Sequence, residues 1–264
     1  MTNVTNVCIV LASSLDKKKK QAELLADKLA LPICTSADST FKYHLVYTDH
    51  RLELHHNPHL LNFNVLPVFV DFLQNRAVHH RLSSTTTKDP LPKAVGIKPG
   101  KRPYVVDATA GMGMDGMQLS WLGCKVTLIE RSPIVHALLQ DGLERARQHK
   151  DLGSIIDHNI SLLAGDSTDL LLDLPSPPHT VVVDPMYPDT TKGPRNKKEM
   201  RILRDIVGKD DDTDKLFTTA LQVARNRVVL KRPKHAPVLD KFPLPSHQIV
   251  MKSGRFDVYL VDHL

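Results

Sequence analysis

Short apolar runs alternate with amphipathic stretches from residue 104 to near the end of this 264-residue chain. The apolar runs have the length of strands and lie at 104–108, 124–129, 161–163, 180–183 and 227–230. The helical stretches between them lie at about 114–122, 133–148 and 214–225. This alternation is typical of an α/β fold with a parallel sheet and helices on both faces. Two further runs, 248–252 and 256–261, predict a C-terminal antiparallel hairpin at the sheet edge.

The first 94 residues have a different pattern, which predicts a small α+β region. Strands are expected at 3–12 and 65–70, helices at about 15–29 and 71–81, and a hairpin from 43–48 and 51–55. Residues 83–103 are rich in serine, threonine and proline, and they predict a linker or a loop. We therefore place a domain boundary near residue 95, between an N-terminal region of residues 1–94 and an α/β domain of residues 95–264.

The segment from Tyr104 to Gly116 predicts a cradle for a nucleotide-type cofactor. Its apolar run ends in Asp107, and Gly111, Gly113 and Gly116 follow at the start of a helix. Glycines let the backbone approach a ligand, and the N–H groups in the first turn of the helix are free to bind it. Dehydrogenases and methyltransferases both use this pattern, so it leaves the reaction open.

Polar residues follow the next two strands, at the edge where parallel sheets bind ligands. Glu130 lies 19 residues beyond Gly111, close to the spacing expected for a carboxylate that bonds a ribose. Asp166 and Ser167 follow the third strand and are placed to meet an adenine edge. Gly-Asp-Ser is also ordinary turn chemistry, so the adenine role is the weaker of the two.

The string Asp-Pro-Met-Tyr-Pro at 184–188 follows the fourth strand and favours methyl transfer to a planar exocyclic amine. The lone pair of such an amine is delocalised into its ring, so the amine is a poor nucleophile. A carboxylate and a backbone carbonyl that accept its two hydrogens direct the lone pair at the methyl group. Asp184 and the carbonyl of Pro185 are the predicted acceptors, and Tyr187 is predicted to stack on the base.

The net charge of +6 and the pI of about 9.2 favour a polyanionic partner such as a nucleic acid. Basic residues that would contact phosphates lie after Asp184 and at the end of the fifth strand: Lys192, Arg195, Lys197, Lys198, Arg201, Arg204, Lys231 and Arg232. Three scattered cysteines and the lack of a membrane-length apolar run favour a cytoplasmic protein. No metal is expected, because the histidines at 55, 56 and 59 have no supporting carboxylate or cysteine at ligand spacing.

Six motifs spread over the second half of the chain carry a family resemblance. They are Asp-Ala-Thr-Ala-Gly-Met-Gly at 107–113, Glu-Arg-Ser-Pro at 130–133, Asp-Pro-Met-Tyr-Pro at 184–188, Lys-Lys-Glu-Met-Arg at 197–201, Leu-x-x-Ile-Val-Gly at 203–208 and Lys-Arg-Pro at 231–233. As a set they resemble the RsmJ family of S-adenosylmethionine-dependent methyltransferases. The resemblance implies a Rossmann-like class I methyltransferase sheet. It also implies methylation of the N2 of a guanine near the 3′ end of 16S rRNA, in the free RNA or in the 30S subunit.

The resemblance also implies a cofactor site, with the glycine loop, including Gly111 and Gly113, around the methionine part of S-adenosylmethionine. By position, the other implied contacts are Met114, Asp115, Glu130, Arg131, Asp166, Ser167 and Asp184. Two features depart from the family. Met114 stands where the family is usually basic, so its contact is through backbone or packing. Ser-Ser-Thr-Thr-Thr-Lys at 83–88 replaces a segment expected to be glycine-rich.

The residues leave three other functions open. Asp-Pro-x-Tyr chemistry would serve an amine of DNA or of a protein glutamine equally well, and comparing methyl acceptors separates these. The glycine pattern also fits a nicotinamide oxidoreductase, which a titration with NADH would test. A non-catalytic RNA-binding ribosome assembly factor would bind RNA without methyl transfer.

Overall fold

The computed structural model describes residues 6–11, 16–34, 40–60, 66–73, 84–186, 196–208 and 212–261, with only the backbone at 196–200. The chain forms two compact units. The first combines Met1–Phe72, Ser132–Arg145 and Pro188–Lys209, and the second combines Leu73–Arg131, Ala146–Tyr187 and Asp210–Leu264. Because the first unit takes segments from both sides of residue 95, the boundary at that residue stays a sequence-based prediction.

The described residues form helices and strands throughout both units. The helices are α1 (Asp16–Leu29), α2 (Pro90–Val95), α3 (Met114–Trp121), α4 (Pro133–Arg147), α5 (Gly153–Asn159), α6 (Ser167–Leu170), α7 (Asn196–Val207) and α8 (Thr213–Val223). The strands are β1 (Val7–Leu11), β2 (Ile33–Cys34), β3 (Tyr43–Tyr47), β4 (Leu52–His56), β5 (Val105–Asp107), β6 (Val126–Glu130), β7 (Ile160–Ala164), β8 (Thr180–Val183), β9 (Arg227–Arg232), β10 (His247–Val250) and β11 (Arg255–Leu260).

The first unit contains a four-stranded sheet in the order β2-β1-β3-β4. Strand β1 is parallel to both of its neighbours, whereas β3 and β4 form the predicted antiparallel hairpin. The alternation predicted a further strand at 65–70, and this prediction is wrong for the residues described there. Val68 forms a single bridge with Leu54 instead of a ladder. The helix predicted at 71–81 lies mostly outside the described residues, and residues 71–73 are not helical.

The second unit contains a seven-stranded sheet in the order β10-β11-β9-β8-β5-β6-β7. Strands β5 to β9 are parallel, and β10 and β11 form the predicted antiparallel hairpin. Strand order reverses at β5, with β6 on one side and β8 on the other, so the carboxyl ends of these strands frame a crevice. The α/β class and the strands expected from the alternation are confirmed.

The predicted linker at 83–103 needs a correction, because residues 90–95 form helix α2. Pro90 stands in the first turn, where its missing N–H costs nothing, and Gly96 ends the helix with φ of +86°. Leu91 and Ala94 are buried, and the helix contacts β9 and β11. Proline therefore starts a short helix here instead of marking a loop.

A hydrophobic core cluster of the second unit combines apolar residues of its parallel strands, of α8 and of β11. Phe217 is fully buried and packs edge-on against Tyr259 and Phe242, with ring centroids 4.9 Å and 4.8 Å away. Phe217 thereby joins α8 to the edge hairpin. This packing fixes the strands from which the polar loops at their carboxyl ends project.

Candidate active site

The loop between β5 and α3 exposes backbone at the carboxyl edge of the sheet. Gly111 and Gly113 have φ of +53° and +75°, a conformation that costs other residues about 1 kcal/mol or more. A Cβ at Gly111 would meet, among the described residues, the carbonyl oxygen of Thr109 alone, at 3.8 Å. At Gly116 a Cβ would collide with the buried Leu128 side chain of β6. The loop therefore leaves room for a ligand, and Gly116 lets α3 pack closely on the sheet.

Glu130, at the end of β6, reaches back to this glycine loop. Its Oε2 accepts a hydrogen bond from the backbone N–H of Gly111 at 2.8 Å, and the residue is 6% exposed. Its backbone carbonyl accepts the N–H of Gly165 at 3.1 Å. The 19-residue spacing thus brings the carboxylate to the loop, where it fixes the backbone. Its contact with a ribose stays a prediction.

Asp184 lies beside the same loop, directly after β8. Its backbone N–H donates to Thr109 Oγ1 at 2.7 Å, which fixes the start of the turn. Its side chain accepts a hydrogen bond from Lys231 Nζ at 2.6 Å, and that ammonium is also 3.4 Å from Asp115 Oδ2. The turn residue Pro185 is buried. The sheet thus brings together two predicted site residues, Asp115 and Asp184, through a lysine that was predicted to bind RNA.

The buried acid Asp107 is a member of the site that the sequence patterns did not indicate as functional. Burial, together with the negative charges of Asp115 and Asp184, raises its pKa to about 7. The N–H of Thr109, which donates to Asp107 Oδ1 at 3.2 Å, and the charge of Lys231 act in the opposite direction. An acid at the last position of a buried strand, just before a glycine loop, is the signal that could have revealed it.

Asp166 and Ser167 are engaged in the loop structure after β7. Asp166 caps α6, since its Oδ1 accepts the N–H of Thr168 at 2.7 Å. The Ser167 hydroxyl donates to the carbonyl of Ala108 at 2.6 Å and so ties this loop to the one after β5. Both residues therefore lie at the predicted edge of the sheet, and their contact with adenine stays a prediction.

Arg131 and Met114 complete the positions predicted to contact a cofactor. The Arg131 guanidinium donates to both oxygens of Asp212 through Nη1, at 3.0 Å and 3.2 Å. This pair joins the end of β6 to the start of α8. Met114 opens α3 and is half-buried. For both residues, a contact with the cofactor stays a prediction.

The basic residues predicted to bind RNA lie in different surroundings. Arg201 is exposed on α7 in the first unit, and Lys197 and Lys198 belong to the same helix. Arg232 departs from the expectation, because it is 7% exposed and its Nη2 donates to the carbonyl of Pro237 at 2.8 Å. It supports the loop after β9 from inside. Three predicted residues lie outside the described part of the chain, namely Tyr187, Lys192 and Arg195.

The described residues show neither a metal-binding cluster nor a membrane-spanning helix. No group of three or more histidine, cysteine, aspartate or glutamate side chains there is arranged to hold a metal ion. Within the same residues, no helix has the length and apolar character needed to cross a membrane.

Comparison with known proteins gives a consistent result. Residues 25–261 match a family model described as "Putative SAM-dependent methyltransferase". The chain is 51% identical over 197 residues to ribosomal RNA small subunit methyltransferase J of Desulfotalea psychrophila, covering 75% of each chain. It is 44% identical over 244 residues to the protein of that name from Aeromonas salmonicida, covering 92% of this chain and 94% of the other. A crystal structure of a SAM-dependent methyltransferase from Neisseria gonorrhoeae has 28% identity and a TM-score of 0.70, covering 96% and 95%.

Proposed function

Because the chain belongs to the ribosomal RNA small subunit methyltransferase J family of S-adenosylmethionine-dependent methyltransferases, we propose that it methylates the exocyclic N2 of a guanine in 16S rRNA. One observation supports an amine acceptor above others. Asp184 and Pro185 leave β8 beside the glycine loop, and the Asp184 N–H is fixed to Thr109 Oγ1 at 2.7 Å. This position supports the Asp184 carboxylate and the Pro185 carbonyl as the two acceptors of an N–H₂ group beside the cofactor cradle.

S-adenosylmethionine supplies, when bound, a methyl group on a positively charged sulfur. The residues present fit this cofactor, since the space beside Gly111 admits a ligand and the carboxylates give the edge the opposite charge. Glu130 would hold the ribose. The backbone of Gly113 and Met114, with Asp115 and Arg131, would line the rest of the cradle, and Asp166 and Ser167 would meet the adenine.

The reaction needs the amine nitrogen to present its lone pair. Asp184 and the Pro185 carbonyl would accept the two N2 hydrogens, which favours a pyramidal nitrogen and directs its lone pair toward the methyl group. Tyr187 would stack on the guanine ring once that base is turned out of the stack of neighbouring bases. The ionised Asp184 carboxylate would also stabilise the positive charge that develops on the nitrogen as it gains the methyl group.

A ribosomal RNA substrate also needs contacts outside the base pocket. We assign phosphate contacts to α7, whose exposed Arg201 follows Lys197 and Lys198 by one turn. Such contacts position RNA without reading its sequence and weaken as salt increases. The proposed setting is the cytoplasm, with 16S rRNA or the 30S subunit as the acceptor.

The test is methyl transfer from labelled S-adenosylmethionine to 30S subunits and purified 16S rRNA from a strain that lacks this protein. Nuclease mapping should recover N2-methylguanosine at one site near the 3′ end. DNA and protein serve as parallel acceptors. Label in either of these, or in another RNA atom, would overturn the proposed substrate, and RNA binding without transfer would support an assembly factor.

Asp184→Ala should retain cofactor affinity within a few-fold and lose methyl transfer by about 10²–10³-fold, because one acceptor of the amine is gone. Asp240→Ala, at an exposed position after β9, is the matched control and should transfer methyl normally. Near-normal turnover by Asp184→Ala would show that the acceptor role is wrong.

A further inference from the structure

A lysine of β9 lies between two acids of the site. Lys231 Nζ is 2.6 Å from Asp184 Oδ2 and 3.4 Å from Asp115 Oδ2. The three side chains come from β9, from the turn after β8 and from the first turn of α3. Their exposed fractions are 35% for Lys231, 37% for Asp184 and 22% for Asp115. The contact is therefore partly shielded from solvent, which strengthens it relative to a fully exposed ion pair.

Lys231 provides the positive charge in an acidic cluster. Burial disfavours its ammonium form, but the charges and hydrogen bonds of Asp115 and Asp184 outweigh this and raise the pKa of Lys231 above its ordinary value. Asp107, buried beside them, responds to the same groups: the two carboxylates raise its pKa and Lys231 lowers it. The protonation of Asp107 therefore depends on the charge of Lys231 as well as on the two carboxylates.

We propose that Lys231 is a positioning residue for methyl transfer, whose ammonium keeps the Asp184 carboxylate ionised and correctly oriented to accept an amine N–H. This inference rests on the proposed role of Asp184. An ionised carboxylate forms stronger hydrogen bonds than its neutral form. Without Lys231, Asp184 would face Asp115 and Asp107 with less compensating charge, which favours its protonation. The hydrogen bond at Oδ2 also restricts rotation of the carboxylate.

This role differs from the phosphate contact that was predicted from the sequence for Lys231. A phosphate contact acts on RNA affinity and on its salt dependence. A positioning role acts on the titration of Asp184 and on the rate of the chemical step. The two roles therefore give separable results in one set of variants.

The first experiment follows Asp184 directly, without cofactor or RNA. Protein labelled with ¹³C at the aspartate carboxyl carbons is titrated by NMR, and the Asp184 signal is assigned by its loss in Asp184→Asn. Lys231→Met should raise the pKa of Asp184, because the ammonium 2.6 Å from its Oδ2 is gone. Lys231→Arg and the control Lys234→Met, at an exposed position of the following loop, should leave it close to wild type. An unchanged pKa in Lys231→Met would overturn the proposal.

The second experiment measures single-turnover rates and RNA affinity from about pH 5 to 9, with the acceptor that the wild-type protein methylates. Lys231→Met should lower the rate at least about tenfold at nearly unchanged RNA affinity, and move the acid limb of the profile to higher pH. Lys231→Arg should return the acid limb of the pH–rate profile to its wild-type position. Weaker RNA binding with a lower salt slope and a normal rate would instead show a phosphate contact.

A purely structural role would lower thermal stability in both Lys231 variants without moving the Asp184 titration, and this too would overturn the inference. A wild-type protein that does not methylate guanine N2 contradicts the proposed function. The NMR titration still decides the Lys231–Asp184 coupling in that case, so the two failures are distinguishable.

Discussion

Each compact unit contains an aspartate whose pKa is shifted, and the two shifts have opposite directions. In the seven-stranded unit, burial and the nearby charge of Asp115 raise the pKa of Asp107 to about 7. In the four-stranded unit, Asp205 on α7 accepts hydrogen bonds from Lys42 Nζ at 2.5 Å and from the Tyr43 hydroxyl at 2.6 Å. Partial burial acts against the charged form of Asp205, but these donors outweigh it and hold its pKa below the usual range.

The difference shows what each charge contributes to its unit. Asp205 is paired with Tyr43, the first residue of β3, and with Lys42 directly before it, so its charge helps to anchor the basic helix α7 to the sheet of its own unit. Asp107 is crowded by other acids, so its charge lowers stability. Active sites commonly accept such a cost because crowded charges also provide perturbed acids and strong fields. The sign of each pKa shift therefore separates an anchoring carboxylate from a member of the acidic site.

The largest effect on stability is expected for Asp107→Asn. A pKa raised from 3.8 to about 7 means that wild-type stability declines as pH rises through this interval and is flat above it. The amide is never charged, so the variant should be more stable by roughly 2–4 kcal/mol at pH 8 and show little difference near pH 3. Urea unfolding at several pH values measures this, with the exposed Asp240→Asn as control. An unchanged pH dependence would contradict the burial of an acid with a raised pKa.

A middle-sized effect is expected for Glu130→Gln, in which a carboxylate bonded to the backbone loses its charge. Its hydrogen bond from the Gly111 N–H is charge-assisted, and the neutral amide replaces it with a weaker one. S-adenosylmethionine should bind about tenfold more weakly, equivalent to about 1.4 kcal/mol. Calorimetric titration measures the affinity, and Glu144→Gln at an exposed position of α4 is the control. Equal affinities for the two variants would remove Glu130 from the cofactor site.

The smallest effect is expected for Asp205→Asn, and it has the opposite pH dependence. A lowered pKa contributes stability that is present above the ordinary carboxyl range and is lost as pH falls through the folded-state value. Because the pair is partly exposed, the variant should lose less than about 1 kcal/mol at pH 7 and nothing in strong acid. Urea unfolding at the two pH values tests this. A larger loss in acid than at pH 7 would reverse the comparison with Asp107.

Much of the fold followed from local patterns in the sequence. The five parallel strands of the seven-stranded sheet, the C-terminal hairpin and the β3–β4 hairpin were predicted, because alternation and turn residues encode them over a few neighbours. Helix α2 was missed, since proline in a first helical turn looks the same in sequence as proline in a loop. The burial of Arg232 was missed for a related reason. A positive charge in the sequence does not show whether the side chain lies in solvent or is buried against the protein.

The glycine loop, Glu130 and the turn at Asp184 could be predicted from the sequence alone. Each depends on residue spacing within one strand–loop–helix segment or on a short sequence motif. The ion pairs of the site could not be predicted in this way. Lys231 is 47 residues from Asp184 and 116 from Asp115, and the sheet order that places β9 beside β8, and β8 beside β5, brings them together. Non-local strand pairing depends on the whole packed sheet. Only the tertiary structure therefore decides which charged residues become partners, and with them the protonation of Asp107.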